Sequence, residues 1–245
     1  MQKKTYVELV VDGLNLAHYE KANPKQMNLV LIRCMKAIKK HFHQNVGRIT
    51  IISGVKNDTS HWENIHLHLS SKLQEIRQKK NSLTSRLLFQ HEKYAEEESK
   101  IMQQLNKISV LLKIYNHIWW TEEYPQSLLK ELKKNHFYLS EGIKVMPVKI
   151  FRKRNGYEKI EREDDLAIAT VIGALATRGN PVVLFTNDKR LIEVPFKILT
   201  ELQKTPLGAI VRDESVYQEL QENLGKSVKI LLLNGNTKLT VVDPL

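Results

Sequence analysis

Three short segments of the chain carry carboxylate and amide side chains in arrangements that suit a metal ion. The first follows the apolar run YVELVV, the second opens the apolar stretch LAIATVIGALA, and the third follows VVLF. Oxygen ligands of this kind suit Mg²⁺ or Mn²⁺. Such ions activate a water and stabilise the entering and leaving oxygens during phosphodiester hydrolysis. The polar members of the three segments are Asp12, Asn15, Asp164, Asp165, Thr186, Asn187 and Asp188.

Each of the four aspartates also has an ordinary structural explanation. Asp12 can stabilise a turn, and Asp188 can cap the helix that follows it. Asp164 and Asp165 can cap a helix or complement its dipole. Their conjunction needs a further explanation, because carboxylates gathered at one edge of a sheet repel each other unless cations neutralise them.

The flanking elements predict how these segments come together. The β-prone runs at 6–11 and 48–53 are separated by an amphipathic helix that opens at Pro24 and extends to about His43. Strand, helix and strand in this order predict a βαβ unit and a parallel sheet. In an open parallel sheet, ligands gather at the carboxyl ends of the strands, which is where Asp12 lies.

The same alternation returns in the C-terminal half. It predicts an α/β domain with a mainly parallel sheet, and it places Asp164, Asp165 and Asp188 at the same sheet edge as Asp12. The last segment, 226–242, contains an Asn-Gly turn and predicts a terminal hairpin that forms either an antiparallel edge of the sheet or a small appended module. The predicted strands cover 143–151, 182–186 and 209–211, and the predicted helices begin near Thr121, Asp164 and Ser215.

A helical insertion is predicted between the two parts of this domain. Residues 59–120 contain no Gly or Pro, and apolar residues recur there at heptad spacing. We interpret 57–118 as a long coiled-coil insertion, with 1–56 and 119–245 forming the α/β domain. The pattern fits either one long dimerising helix or an antiparallel hairpin. The heptad residues are Leu69, Leu73, Ile76, Leu83, Leu87, Ile101, Leu105, Ile108 and Leu112.

The charge balance of the chain indicates a polyanionic partner. Among 245 residues there are 38 Lys and Arg against 27 Asp and Glu, a formal net charge of +11. Such an excess is typical of proteins that bind nucleic acid and, less often, of proteins that bind anionic membranes. It can also serve solubility alone. No apolar run approaches the ~20 residues that a membrane span needs, so no membrane partner is expected.

The single cysteine, Cys34, excludes a disulfide framework or a cysteine-based zinc site within one chain. Glu8 and Asp12 interrupt the N-terminal apolar stretch, which argues against a secretory signal. We therefore expect a cytoplasmic protein. The alternatives are a nuclear location, if the source is eukaryotic, and a secreted effector.

The ordered set of motifs resembles the PIN-like nucleases, especially their NYN branch. The resemblance lies in VVDGLNLAH at 10–18, the Asp-Asp pair at 164–165 and LFTNDKR at 184–190. The metallonuclease domains of protein-only RNase P and of the Regnase-type RNases carry similar blocks in this order. The resemblance implies a three-layer α/β/α, Rossmann-like fold and a metal-dependent endonuclease that usually acts on RNA.

The same resemblance implies the site residues. Asp12, Asp164, Asp165 and Asp188 match the family's metal-site acids, and Asn15 matches the accompanying asparagine. One position departs from the pattern, because Regnase-type members carry a further Asp one helical turn after Asp188, where this chain has Ile192. Glu193 lies one position beyond and is a candidate substitute. The departure puts the number of bound metals in doubt.

Several cations near the predicted site could contact phosphates, which Lys and Arg do without reading sequence. Thr186 and Asn187 are expected to position the substrate. Trp119 and Trp120 are expected to anchor the core rather than stack on bases. The basic residues between 149 and 159 could equally form a solvated hairpin. The candidate nucleic-acid contacts are Lys149, Arg152, Lys153, Arg154, Lys159, Lys189 and Arg190.

The sequence therefore favours a divalent-metal-dependent endoribonuclease that uses Mg²⁺ or Mn²⁺ to activate water. Its catalytic residues would be Asp12, Asn15, Asp164, Asp165 and Asp188. RNA is the expected partner and DNA the alternative, as in a structure-specific DNase of the flap-nuclease type. A non-catalytic RNA-binding scaffold or effector protein is the rival of a different class. The insertion adds a homodimer or a protein partner to the expected interactions.

Overall fold

The computed structural model describes residues 6–56, 58–82, 88–149, 163–203, 207–224 and 227–233. The chain divides into two compact units. One is an α/β unit formed by residues 1–55 and 117–245, and the other is a helical unit formed by residues 56–116.

The α/β unit is built on a six-stranded sheet in which each neighbouring pair of strands is parallel. The predicted α/β class and parallel sheet are confirmed. The strand order is β3-β2-β1-β4-β5-β6. The strands are β1 (Val7–Asp12), β2 (Val46–Val55), β3 (Gly142–Lys149), β4 (Val182–Phe185), β5 (Leu207–Val211) and β6 (Lys229–Leu232).

The helices of the described residues follow the predicted pattern closely. The helix bounds are α1 (Gly13–Tyr19), α2 (Pro24–Phe42), α3 (Ser60–Ser82), α4 (Leu88–Tyr115), α5 (Tyr124–Lys134), α6 (Glu163–Thr177), α7 (Lys189–Glu201) and α8 (Glu214–Leu224). A π-helical turn, Trp119–Glu123, precedes α5, and its two tryptophans are buried in an aromatic cluster with Tyr124. This agrees with a core role for Trp119 and Trp120.

Alternate residues of the strands face two different helical layers, as the period of two in a strand requires. Side chains such as Val10, Leu184 and Ala209 pack with α6, α7 and α8 in one apolar core. On the other face α2 packs with α5. Gly208 lies directly under Phe42 of α2, because a Cβ there would be 2.2 Å from the Phe42 ring. The unit therefore has three layers, α/β/α.

The order of the strands reverses at one point of the sheet. From β1 the chain adds β2 and β3 on one side, and then returns to place β4, β5 and β6 on the other. In open α/β sheets, ligands bind outside the carboxyl ends of the strands where the order reverses. Here the reversal lies between β1 and β4, so Asp12 and Thr186 flank it.

One predicted element runs in the opposite direction. The segment 226–242 is predicted to form an antiparallel edge or a small appended module, but its first part, β6, is an edge strand that pairs parallel with β5. The reason is the helix between them, since α8 carries the chain back along the sheet before β6 begins. Parallel neighbours need a crossover of this kind. The expected turn at Asn234 and Gly235 lies outside the described residues.

The helical unit is an antiparallel pair formed by α3 and α4. His66 Nε2 lies 3.2 Å from the Ser109 hydroxyl oxygen. Arg77, which comes later in α3 than His66, pairs with Glu98, which comes earlier in α4 than Ser109, so the two helices run in opposite directions. A small apolar seam joins the two helices, formed by Leu73, Ile76, Ile101 and Leu105. Two helices of one chain pack here, as in the hairpin alternative, and self-association stays a prediction. None of the helices in the described part of the chain has the length and hydropathy of a bilayer crossing.

Candidate functional site

Asp12 ends β1 and caps α1. Its Oδ1 accepts a hydrogen bond from the Asn15 backbone N–H at 2.9 Å, as expected of an N-cap residue. The side chain is buried, with 7% exposed. Gly13 lets α1 begin directly against β2, because a Cβ at this position would be 2.8 Å from the carbonyl oxygen of Ile52. The chain thus holds a carboxylate inside the sheet edge.

The end of β4 contacts the second oxygen of this carboxylate. The Thr186 hydroxyl donates to Asp12 Oδ2 at 2.8 Å and accepts from the Asp188 backbone N–H at 3.0 Å. Thr186 is fully buried, so its hydroxyl forms these hydrogen bonds with the protein rather than with water. The first and third acidic segments are therefore joined through one side chain, across 174 positions of sequence.

A second hydrogen-bond network joins three strand ends. The Asn15 side-chain oxygen accepts from both the backbone and the side-chain N–H of Asn187, each at 3.3 Å. The Asn187 side-chain oxygen in turn accepts from the backbone N–H groups of Arg212 at 2.6 Å and Asp213 at 3.1 Å. Asn15 and Asn187 thus fix the loops that follow β1, β4 and β5.

The Asp-Asp pair lies within electrostatic range of Asp12. Asp164 is buried in the first turn of α6, with 5% exposed, and Asp165 is half-buried. The pKa of Asp12 is raised from 3.8 to about 6, chiefly because burial penalises its charge. The hydrogen bonds from Asn15 and Thr186 act in the opposite direction, and the negative charges of Asp164 and Asp165 raise the pKa further.

Asp188 caps α7 and is connected to Asp12 through Thr186. Its Oδ1 accepts from the Arg190 backbone N–H at 3.0 Å. Its own N–H donates to Thr186, which holds Asp12. The geometry therefore couples three of the four aspartates electrostatically and connects the fourth through a hydrogen-bond relay.

The position that departs from the family pattern belongs to the core. Ile192 is fully buried in the apolar cluster of α6, α7 and α8. Glu193 accepts from the Asn223 side chain at 2.5 Å and lies 3.9 Å from the Lys189 ammonium. Glu193 thus faces α8 and is engaged there. It does not take the place of an acid at position 192.

The predicted phosphate contacts occupy different environments. Lys149, at the end of β3, and Arg190 are exposed. Lys189 forms an ion pair with Glu219. The hydrogen bond to Glu219 raises the pKa of Lys189, and the glutamate partly neutralises its charge. Arg152, Lys153, Arg154 and Lys159 lie outside the described residues.

Sequence reasoning missed a cation at this edge. The Arg212 guanidinium forms an ion pair with Glu20 and lies 5.4 Å from the centre of the Tyr19 ring. Arg212 immediately follows β5, so the strand-end rule that selected Asp12 and Asp188 would also have found it. The predicted strand at 209–211 carried this signal.

The donor set fits a hydrated divalent cation in its chemistry. Asp164 and Asp165 make the ionisation of Asp12 less favourable, and a positive charge among the three carboxylates would offset this repulsion. Within the described ranges, no three His, Cys, Asp or Glu side chains form a ready-made metal-binding group. Mg²⁺ does not demand one, because it usually keeps several waters and binds through one or two carboxylates.

Comparisons with known proteins give only weak structural similarity. No protein family and no curated protein matches this chain. A crystal structure of a protein of unknown function from Vibrio parahaemolyticus is similar at 11% identity and a TM-score of 0.42, over 98% of this chain and 100% of its own.

A second similarity is to the T5 5′-exonuclease with bound zinc, at 12% identity and a TM-score of 0.33. The bacteriophage T5 flap endonuclease in complex with DNA and metal ions is similar at 14% identity and the same TM-score. Each alignment covers 89% of this chain and 61% of the T5 chain, so this chain spans about three-fifths of that length. At these scores the similarity carries no argument about function, which must come from the site.

Proposed function

We propose that this chain is a divalent-metal-dependent nuclease that hydrolyses phosphodiester bonds, with RNA as its substrate. The observation that carries the proposal is the buried Asp12 carboxylate at the point where the strand order reverses, its pKa raised in part by Asp164 and Asp165. Burying like charges together is costly, and it is a common feature of sites that act on a charged ligand.

The chain's own residues would hold the site in place. Thr186 and the Asn15 backbone orient the two oxygens of Asp12. Asn187 and the Asn15 side chain lock the neighbouring loops together. Mg²⁺ or Mn²⁺, when bound, would neutralise the carboxylates and activate a water for attack on phosphorus. Asp12, Asp164, Asp165 and Asp188 would act as direct or water-mediated ligands.

The choice of RNA rests on the resemblance of the motifs to NYN-type nucleases. The overall charge of +11 supports a nucleic-acid partner but does not distinguish RNA from DNA. Cleavage of matched single-stranded and hairpin substrates, in RNA and DNA versions, separates the two. Preferential cutting of a branched DNA would replace the endoribonuclease with a structure-specific DNase.

The decisive test is Asp12→Asn, measured with Mg²⁺ and with Mn²⁺. We expect cleavage to fall by a factor of roughly 10² or more, since changing even an outer partner of a metal ligand costs roughly 10- to 100-fold. Binding of uncut RNA, measured by fluorescence anisotropy in EDTA, should persist. Full cleavage by the variant would remove the carboxylate site from the mechanism.

Glu8→Gln provides a matched control on the same strand. Glu8 is a second buried carboxylate of β1, with 2% exposed, and it accepts a hydrogen bond from Thr50 at 2.6 Å. It lies near the opposite end of β1 from Asp12. We expect this variant to keep wild-type cleavage, because its charge lies at the amino edge of the sheet.

A second candidate is a nucleic-acid-binding protein that does not cut. It is favoured because both oxygens of Asp12 already accept protein hydrogen bonds and because a core isoleucine occupies position 192. Wild-type protein that binds RNA but leaves it intact with either metal would establish this second function.

A further inference from the structure

The two helical layers of the α/β unit carry opposite charge. The layer of α2 and α5 contains eight Lys and Arg side chains and one glutamate. The layer of α6, α7 and α8 contains three Lys and Arg side chains and eight Asp and Glu. Among these five helices the positive charge is therefore concentrated on one side, which we call the basic face, formed by α2, α5 and residues 136–138.

A groove lies on the basic face, beside the start of β2. It has a volume of about 250 Å³ and is lined in part by Lys39, Asn45, His136, Phe137 and Tyr138. The Tyr138 side chain is 76% exposed. An aromatic ring that faces solvent next to a lysine offers a surface on which a base can stack.

Three exposed lysines, Lys36, Lys39 and Lys40, share one face of α2, and Lys39 lines the groove. None of them forms an ion pair with another residue of the described ranges. The nearby acids are already engaged, because Glu131 pairs with Lys134 at 3.2 Å and Glu141 with Arg48 at 3.0 Å. The charges of the three lysines are therefore available to bind an external anion.

The surface suits nucleic acid better than a lipid bilayer. A membrane-binding face combines basic residues with apolar side chains that insert between lipids. Within the described parts of α2 and α5, Leu129 is the one large apolar side chain that is exposed, with 39% of its surface accessible. Cations interleaved with an exposed aromatic ring match the platform that single-stranded nucleic acid uses.

We propose that the basic face is a second nucleic-acid contact surface, which holds single-stranded nucleic acid with phosphates on Lys36, Lys39 and Lys40 and a base stacked on Tyr138. The inference deepens the proposed nuclease function, on which its choice of partner rests. Val46, in the groove, pairs with Val7 at the start of β1, and Asp12 ends that strand.

The separation along β1 sets how much nucleic acid is needed to reach both places. Five residue steps of about 3.3 Å place the groove roughly 17 Å from the carboxylates. A stacked strand, at roughly 3.4 Å per nucleotide, covers this distance with about five nucleotides. Affinity should therefore increase when an oligonucleotide is lengthened beyond this span.

The test is the triple variant Lys36→Gln, Lys39→Gln and Lys40→Gln. Its binding to fluorescein-labelled oligouridine is measured by anisotropy in EDTA, so that cleavage plays no part. We expect at least a tenfold loss of affinity and a decrease of about two in the slope of log K against log salt, at roughly 0.7 per phosphate contact. Tyr138→Ala should lose roughly fivefold or more, whereas Tyr138→Phe should bind normally because it keeps the ring.

The control is a second triple variant with the same change in net charge, Lys93→Gln, Lys107→Gln and Lys113→Gln. These lysines are exposed on α4 in the helical unit. The control should bind RNA like the wild type. An equal loss in both triples, or no loss in the first, would overturn the proposal. Loss of binding to phosphatidylserine vesicles with RNA binding unchanged would also overturn it.

Failure of this inference and failure of the nuclease function give different results. If the wild type never cuts RNA while the α2 variant loses binding, the basic face stands and the catalytic proposal falls. If Asp12→Asn abolishes cleavage while the α2 and Tyr138 variants bind normally, the catalytic site stands and the basic face falls.

Discussion

The α/β unit and the helical unit differ in the size of the apolar core that stabilises them. The α/β unit buries a broad core in which side chains such as Phe196, Ile172 and Leu220 are fully inaccessible. The helical pair has a seam of four buried side chains, each of which keeps 4–8% of its surface exposed. A deep core gives the first unit a stability reserve that a thin seam cannot provide.

The carboxylates of the two units show the consequence. Burial raises the pKa of Asp12, so its charge destabilises the α/β fold at neutral pH. In the helical pair, hydrogen bonds from Arg77 and Lys80 lower the pKa of Glu98. The charge of Glu98 therefore stabilises the folded helical pair. The unit with the larger core is thus the one in which burial makes the charge of a carboxylate, Asp12, unfavourable.

The largest expected effect is on the core of the α/β unit. Phe196→Ala removes a fully buried ring from the cluster of α6, α7 and α8. We expect the free energy of unfolding to fall by about 3–5 kcal/mol, from lost burial and the cavity left behind. Urea unfolding followed by circular dichroism measures the change.

Leu105→Ala is the corresponding core substitution in the helical unit, and it removes a smaller side chain than Phe196→Ala. We expect a loss of about 2 kcal/mol, at the lower end for such a change, because a thin seam can collapse around a small cavity. Hydrogen exchange should quicken in α3 and α4 while the amides of β1 and β4 stay protected. Equal costs for the two alanine variants would contradict the contrast between the cores.

The second effect concerns the buried charge. Replacing Asp12 with Asn should raise the free energy of unfolding at pH 7.5 by up to about 3 kcal/mol, because the folded protein no longer holds an ionised group with a pKa raised from 3.8 to about 6. Asn cannot accept the Thr186 hydrogen bond with its amide nitrogen, which makes this figure an upper bound. Thermal melts across pH measure the difference.

The sign of this pH dependence follows from the two pKa values of Asp12. Below 3.8 the carboxyl is protonated in both folded and unfolded chains, so the variant gains nothing there, and the gain is complete only above about pH 6. Added Mg²⁺ should stabilise the wild type by about 2.7 kcal/mol at a hundred times its dissociation constant, and the variant less. If the stability gain of the variant over the wild type were no larger at pH 7.5 than at pH 4, the ionised Asp12 would not destabilise the fold.

The smallest effect is expected on the surface of the helical unit. Glu98→Gln removes ion pairs to Arg77 at 2.8 Å and Lys80 at 3.0 Å, both of which are open to solvent. We expect a slight decrease in the melting temperature that disappears at roughly 1 M salt, where screening is nearly complete.

The pH dependence of this ion pair runs opposite to that of Asp12. Because the pKa of Glu98 is lowered in the folded chain, its contribution is present above the ordinary pKa of a glutamate and is lost as the pH falls through the folded value. A decrease in melting temperature as large as that of Phe196→Ala would show that surface charge, and not the seam, holds the helical pair.

The elements of the fold were largely readable from the sequence, since apolar periodicity and turn residues are local signals. Pro24 marks the start of α2, and the expected strand at 48–53 lies within β2. The direction of β6 was not readable, because the local sequence of a strand does not determine the direction of the strand beside it. The hydrogen bonds between β6 and β5 decide that direction.

For the candidate site, the sequence by itself determined which carboxylates end strands and open helices, because strand ends and helix caps are set by residues a few positions apart. The tertiary structure decided which of them meet. Thr186 reaches Asp12 across 174 positions, Glu193 turns towards α8, and Arg212 joins the edge through Glu20. Such partnerships depend on strand order and helix packing, and no local spacing in the sequence encodes them.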